Sequence, residues 1–199
     1  MIAASVFLQP PLLKESRHLI PPPPKIEYLS FGFQMPIADA LWIRAIQDFD
    51  YCENLLAKNF CKGNGWLAQM LDAITNLAPD YQIVYSTGAL SLTVLVSDYV
   101  GATKIFDKGV KMYPRDRHLL YRAAYHAMIE EKNGPKAAEL LIQAAKNGGN
   151  PWFYSLATRL YTESGEKDLA QKLFEELKAQ PDLEPGTLER IRKKLEEAK

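Results

Sequence analysis

Three windows of equal length set out the fold: residues 85–106, YSTGALSLTVLVSDYVGATKIF; residues 120–141, LYRAAYHAMIEEKNGPKAAELL; and residues 153–174, FYSLATRLYTESGEKDLAQKLF. Each begins with a large residue and carries a small residue four places on, at Ala89, Ala124 and Ala157. A second small column follows at Ala102, Ala137 and Ala170, and a large one at Phe106, Leu141 and Phe174. Every column advances by 35 and then 33 residues. Carried 35 residues upstream, the step lands on Leu67 and Leu71, which marks a further, more divergent unit. A period near 34 in helical sequence signifies a solenoid of helix pairs, whose core is a sum of interfaces between neighbours.

Punctuation divides the units into helices. Ile83–Ser97 is expected to pair with Gly101–Met112, Arg117–Glu131 with Pro135–Lys146, and Pro151–Ser164 with Glu166–Ala179. Asn133-Gly134-Pro135 offers a glycine for a left-handed helix exit and a proline for the next first turn; Asn150-Pro151 offers a capping side chain before such a proline. Pro114 and Pro181 end second helices, because proline lacks the amide and disfavours helix in the residue before it. In the first unit, Ala38–Tyr51 (ADALWIRAIQDFDY) repeats apolar residues at helical spacing and Trp66–Leu77 follows, stopped by Pro79. Trp42 to Tyr85 spans 43 residues, so this unit holds about eight extra residues between its helices. Thr187–Lys199 places Leu188, Ile191 and Leu195 on one stripe, with Glu189 and Lys193 at pairing distance, and reads as a solvating cap helix. The expected organisation is an apolar, proline-rich segment over 1–36 and a solenoid over 37–199, with repeats near 38–79, 80–114, 115–149 and 150–182 and a cap over 187–199.

Composition narrows the function classes. Lysine plus arginine and aspartate plus glutamate number 24 each, so no overall field draws the chain to nucleic acid. Met1–Leu13, MIAASVFLQPPLL, is an apolar run too short to span a bilayer and without the basic head of a secretory signal. It reads either as a tail or as the outer end of a membrane anchor. Pro21–Pro24 reads as a stiff polyproline spacer; the alternative is that it is a ligand for an aromatic groove, its own or a neighbour's. Cys52 and Cys61, the only cysteines, lie nine residues apart, which fits neither a zinc site nor a redox Cys-x-x-Cys pair. In an oxidising compartment they could close a disulfide worth roughly 2–3 kcal/mol; in a cytosol they would be reduced thiols. No His-Glu-x-x-His, phosphate loop or Gly-x-Ser-x-Gly turn is present, and His118 and His126, eight apart on one helix, are too distant to share a metal and read as surface or groove residues. No enzyme, metal or cofactor is expected.

The columns resemble those of the tetratricopeptide repeat family. The match covers about residues 38–182, is close in the last three units, and is weak in the first, where Ile46 and Leu67 stand in for small residues. The resemblance implies an all-α, right-handed superhelix of about four helix pairs plus a C-terminal capping helix. It also implies a concave wall built from first helices, one, five and eight places after the early large residue. Those positions are Gln47 and Asp50; Leu90 and Thr93; Tyr121, Tyr125 and Met128; and Tyr154, Thr158 and Tyr161. Four tyrosines on one wall suit an extended apolar or proline-rich segment; the alternative is that they pack between repeats. IADALWIRAIQDF after a proline spacer is similar to the first helix of membrane-anchored bacterial envelope repeat proteins, which implies a place at or across a bacterial inner membrane, with the cytoplasm as the alternative. The expected function is a protein-binding scaffold, set against a structural subunit whose groove is filled by its own N-terminus or by a neighbouring chain.

Overall fold

The computed structural model describes residues 21–23, 25–47, 66–179 and 185–197. The described residues are helical, without strand. A 3₁₀ turn, Ile26–Leu29, leads into α1 (Gln34–Gln47), and α2 (Trp66–Leu77) follows. A π-helical turn, Val84–Gly88, opens into α3 (Ala89–Val94), followed by α4 (Tyr99–Met112), α5 (Arg117–Ile129), α6 (Gly134–Lys146), α7 (Trp152–Glu163), α8 (Lys167–Lys178) and α9 (Pro185–Glu197). Helices pack as the pairs α1 with α2, α3 with α4, α5 with α6 and α7 with α8; α4, α6 and α8 each also pack on the helix that follows. The architecture is all-α and repeat-like.

The small columns are where helices come closest. Ala89, Ala124, Ala157, Ala102, Ala137 and Ala170 are each at most 1 % exposed. Glycine tightens the second unit further. A Cβ on Gly109 would lie 2.6 Å from the Cβ of Tyr85, and one on Gly101 would lie 2.8 Å from the Cβ of Ala68. Both are contacts that real side chains avoid, so α4 is drawn onto its neighbours on two sides.

The turns within pairs repeat on the same step. Ser97, Lys132 and Gly165 all take positive φ, at 55°, 55° and 81°. The residue after each opens the second helix: Asp98 caps Gly101 N at 2.9 Å and Asn133 caps Lys136 N at 3.1 Å. The left-handed residue of the third unit is therefore Lys132, and Gly134 instead lies within α6, where a Cβ would strike Ser164. Asn150 accepts from Trp152 N at 2.9 Å, but it does so from one place before the N-cap, which is Pro151.

The first unit differs from expectation at two points. Its helix starts at Gln34, with Pro36 inside the first turn, where a missing amide costs nothing. Its small position is Ala45, fully buried beside Ala38 and Trp42, while Ile46 faces solvent. The long loop, with Asp50, Cys52 and Cys61, lies outside the described residues. At the other end, α9 packs on α7 and α8, with Ile191 buried and Leu188 and Leu195 against the core. Glu189 pairs with Arg192, at 2.7 Å, rather than with Lys193.

His126 is not a surface or groove residue: only 2 % of it is exposed, because it sits where the second and third units meet. Its Nδ1 lies 3.0 Å from Thr93 Oγ1 and its Nε2 3.0 Å from Thr103 Oγ1. Thr103 in turn reaches Glu131 Oε1 at 3.2 Å, and Lys136 Nζ holds both Glu131 oxygens at 3.0 Å and Asp107 at 2.9 Å. With the proton on Nε2, Thr93 donates to histidine and histidine to Thr103, whose own proton has two acceptors in reach, Tyr99 O at 3.0 Å and Glu131 Oε1 at 3.2 Å. Burial holds the imidazole below its ordinary 6.5, against the pull of Glu131 and Glu130.

Two outcomes follow from this packing. Gly109→Ala adds about 1 kcal/mol of helix propensity but forces Tyr85 and α3 away, at about 1–3 kcal/mol, so urea unfolding should show a lower midpoint at unchanged slope. The unfolded chain binds a proton at His126 more readily than the folded one does, so stability should be full above about pH 7 and fall as pH drops through the unfolded histidine value. The fall, read from urea midpoints between about pH 7.5 and pH 5.5, should flatten in His126→Gln; an unchanged slope would assign it to other groups.

Candidate partner-binding cleft

A cleft of about 190 Å³ opens between the first helices of the third and fourth units. From α5 it receives Tyr121, Tyr125 and Met128, and from α7 Trp152, Leu156 and Arg159; both sets follow four-then-three spacing, which puts each on one helix face. Ala124 and Leu141 close the floor. The small residue at 124 gives the cleft its depth, since anything larger would fill it. Tyr121 and Tyr125 are 40 % and 51 % exposed, and Trp152 is similarly open.

The aromatic walls are held by one another. Tyr121 stacks on Phe153 with centroids 5.1 Å apart and planes within 10°, and Trp152 meets Phe153 edge-on at 5.7 Å. A second hollow of about 300 Å³ adjoins this stack, lined by Arg117, His118, Gly148, Gly149 and Asn150 beside Tyr121 and Phe153. Arg117 Nη1 donates to Gly148 O at 2.7 Å, which ties the start of α5 to the loop before α7. Asp116 caps α5, accepting from His118 N at 2.9 Å and Leu119 N at 3.2 Å, and also from Gln82 Nε2 at 2.6 Å. Burial would push its carboxyl up, but these donors together hold it below the usual carboxylate range. On the far rim Arg159 pairs with Glu163 at 3.4 Å. The rim carries this ion pair, and the interior is aromatic and aliphatic.

Of the expected wall residues, the structure brings Tyr121, Tyr125 and Met128 together. Leu90 is partly exposed on α3, Gln47 is exposed at the end of α1, and Thr93 is committed to His126. Tyr154, Thr158 and Tyr161 do not line an open wall: they are 5 %, 0 % and 5 % exposed. The face in question is the one that meets the next unit, as Thr93 meets His126 and Tyr121 meets Phe153. On α7 it is enclosed, because α6, α8 and α9 all pack on that helix. Thr158 Oγ1 donates to Tyr154 O at 2.9 Å, and burial raises both phenols, with Glu139, Glu166 and Glu176 around Tyr161 adding to its shift. The residues that do face the cleft from α7 were visible as Trp152, Leu156 and Arg159 at helical spacing. The large exposed indole directly after a proline was the signal. Pro21, Pro22 and Pro23 are not among the lining residues.

Among the described residues, no three His, Cys, Asp or Glu side chains converge to hold a metal ion. Comparison with known proteins finds no matching family model, no similar curated protein and no similar solved structure.

Proposed function

We propose that this protein is a non-catalytic protein-binding scaffold, a right-handed superhelix of tetratricopeptide type that holds an extended apolar or proline-rich segment of another chain in the α5–α7 cleft. The observation that carries this reading is the half-exposed trio Tyr121, Tyr125 and Trp152 around one narrow apolar slot. Large rings left open beside a polar rim are atypical of a surface meant only for water. They offer area at low entropy cost, with hydroxyl and indole groups free to bond a peptide backbone. Aromatic-lined grooves receive polyproline segments because such segments are already extended. The 35- and 33-residue steps, shared by the packing columns and the left-handed turns, support the superhelix.

The competing subunit reading uses the same cleft, filled by a neighbouring copy. Light scattering separates the two: a monomer with an accessible cleft favours the scaffold. The direct test is a titration of the full chain with a peptide copying His18 to Ile26, HLIPPPPKI, followed by tryptophan fluorescence, since Trp152 lines the slot. The expected result is a saturable shift that weakens about tenfold or more in Tyr121→Ala/Tyr125→Ala, because two aromatic anchors are removed. Both rings are about half exposed, so the double variant should lose only about 1–2 kcal/mol of stability and keep its helicity. Loss of folding would instead make these tyrosines core, and unchanged binding would move the site elsewhere.

A further inference from the structure

The hollow that adjoins the aromatic cleft differs from it in charge. Arg117, His118 and Asn150 line it beside Tyr121 and Phe153, and none of its lining residues is acidic. Arg117 is exposed yet anchored: its Nη1 donates to Gly148 O at 2.7 Å, and its Nε lies 3.5 Å from His118 Nε2. Neither partner is an anion. Asp116, the carboxylate next to it in sequence, is occupied, accepting from His118 N, Leu119 N and Gln82 Nε2. Other fixed cations of the fold are matched. Arg159, on the slot itself, pairs with Glu163; Lys108 pairs with Asp72, and Lys136 with Asp107 and Glu131. Among the described residues, Arg117 is thus a positioned guanidinium that no carboxylate neutralises, and a planar group with five donors has several left once one is spent on Gly148.

Its place relative to the slot fixes what it can reach. Tyr121 lines both hollows, so a segment lying in the slot passes a single ring to enter the second one. Arg117, Tyr121 and Tyr125 follow one another at four-residue steps along α5, each step about one turn, or roughly 5.4 Å, which an extended chain covers in about two residues. We propose that the segment held in the α5–α7 cleft belongs to another chain and carries an acidic side chain about two residues from its apolar part, whose carboxylate Arg117 receives. This inference rests on the cleft reading above and adds a charge to it. The same charge disfavours the protein's own prolines as occupant. The charged residues nearest to Pro21–Pro24 on either side are Lys25 and Arg17, with His18 between, so docking that segment would bring cations toward Arg117.

Titration of the full chain with three peptides tests it, followed by tryptophan fluorescence: HLIPPPPKI, and the same peptide with His18 and Lys25 both replaced by glutamate, ELIPPPPEI, or by glutamine, QLIPPPPQI. Acetylated and amidated ends leave side-chain charge as the only variable, and replacement at both flanks makes the result independent of the direction in which the segment lies. The expected order is glutamate tightest, by about threefold or more over glutamine, and HLIPPPPKI weakest, with the glutamate advantage shrinking as salt is raised. In Arg117→Gln the ratio of glutamate to glutamine affinity should fall toward one. Because that ratio is taken within one protein, any change in the overall affinity or stability of the variant cancels. Equal binding of all three peptides by the parent leaves the cleft reading standing and overturns this inference. A glutamate advantage that survives Arg117→Gln overturns it by assigning the carboxylate to another cation, and tightest binding of HLIPPPPKI overturns it in favour of the protein's own segment. Binding of none overturns the cleft reading and this inference with it.

Discussion

The constraint on which everything else depends is the close approach of neighbouring helices at the alanine and glycine columns. Ala102, Ala137 and Ala170 are fully buried where helices meet, and in α4 even alanine is too large at Gly101 and Gly109. Each helix pair packs on the pairs next to it, so a misfit at one interface shifts the helices on both sides of it. Close packing also fixes the height of each side chain above the contact. That is why Ala124 can serve as the floor of the cleft while Tyr121 and Tyr125, three before it and one after, rise as its wall.

A polar joint complements this apolar stacking. The chain from Thr93 through His126, Thr103 and Glu131 to Lys136 crosses from α3 and α4 to α5 and α6, so it ties two units by groups that must meet at fixed distances. Apolar interfaces tolerate small sliding, since area is conserved as side chains move past one another. Hydrogen bonds at 3.0 Å on both ring nitrogens do not. The joint therefore contributes register more than net stability, and its buried imidazole makes that register sensitive to protonation. The equivalent interface between the third and fourth units is aromatic instead, Tyr121 on Phe153, and it is there that the helices leave a cleft.

How much of this was legible in the sequence depends on which neighbour decides a residue's surroundings. The helices from α4 to α8 were legible almost to the residue, because caps, prolines and small columns are local or repeat at a fixed step. Lys132 was misjudged in favour of Gly134, because glycine usually takes the left-handed turn; here a lysine takes it, and the glycine is needed instead for the close approach to Ser164. Ala45 was passed over for Ile46 because a one-residue choice of face is ambiguous on a helix with few neighbours in its pattern. Tyr154, Thr158 and Tyr161 were placed on the open wall because the positions that the resemblance implies were applied alike to every unit. The step from α5 to α7 preserves a residue's direction, but it does not preserve what lies in that direction, and α9 lies beyond α7 alone. His126 was hidden for the opposite reason, since its partners Thr93 and Thr103 are polar and no pattern of apolar residues announces a buried histidine.

The aromatic residues of the third and fourth units differ in what holds them. Tyr121, Tyr125 and Trp152 stand on two helices and face one another across one slot, so the packing of α5 and α7 sets their directions before any ligand arrives. Tyr154 and Tyr161 belong to the same α7, yet the helices packed on it enclose them. Under the proposed scaffold reading, rings fixed in this way favour a segment that is already extended, because neither side then has much freedom left to lose.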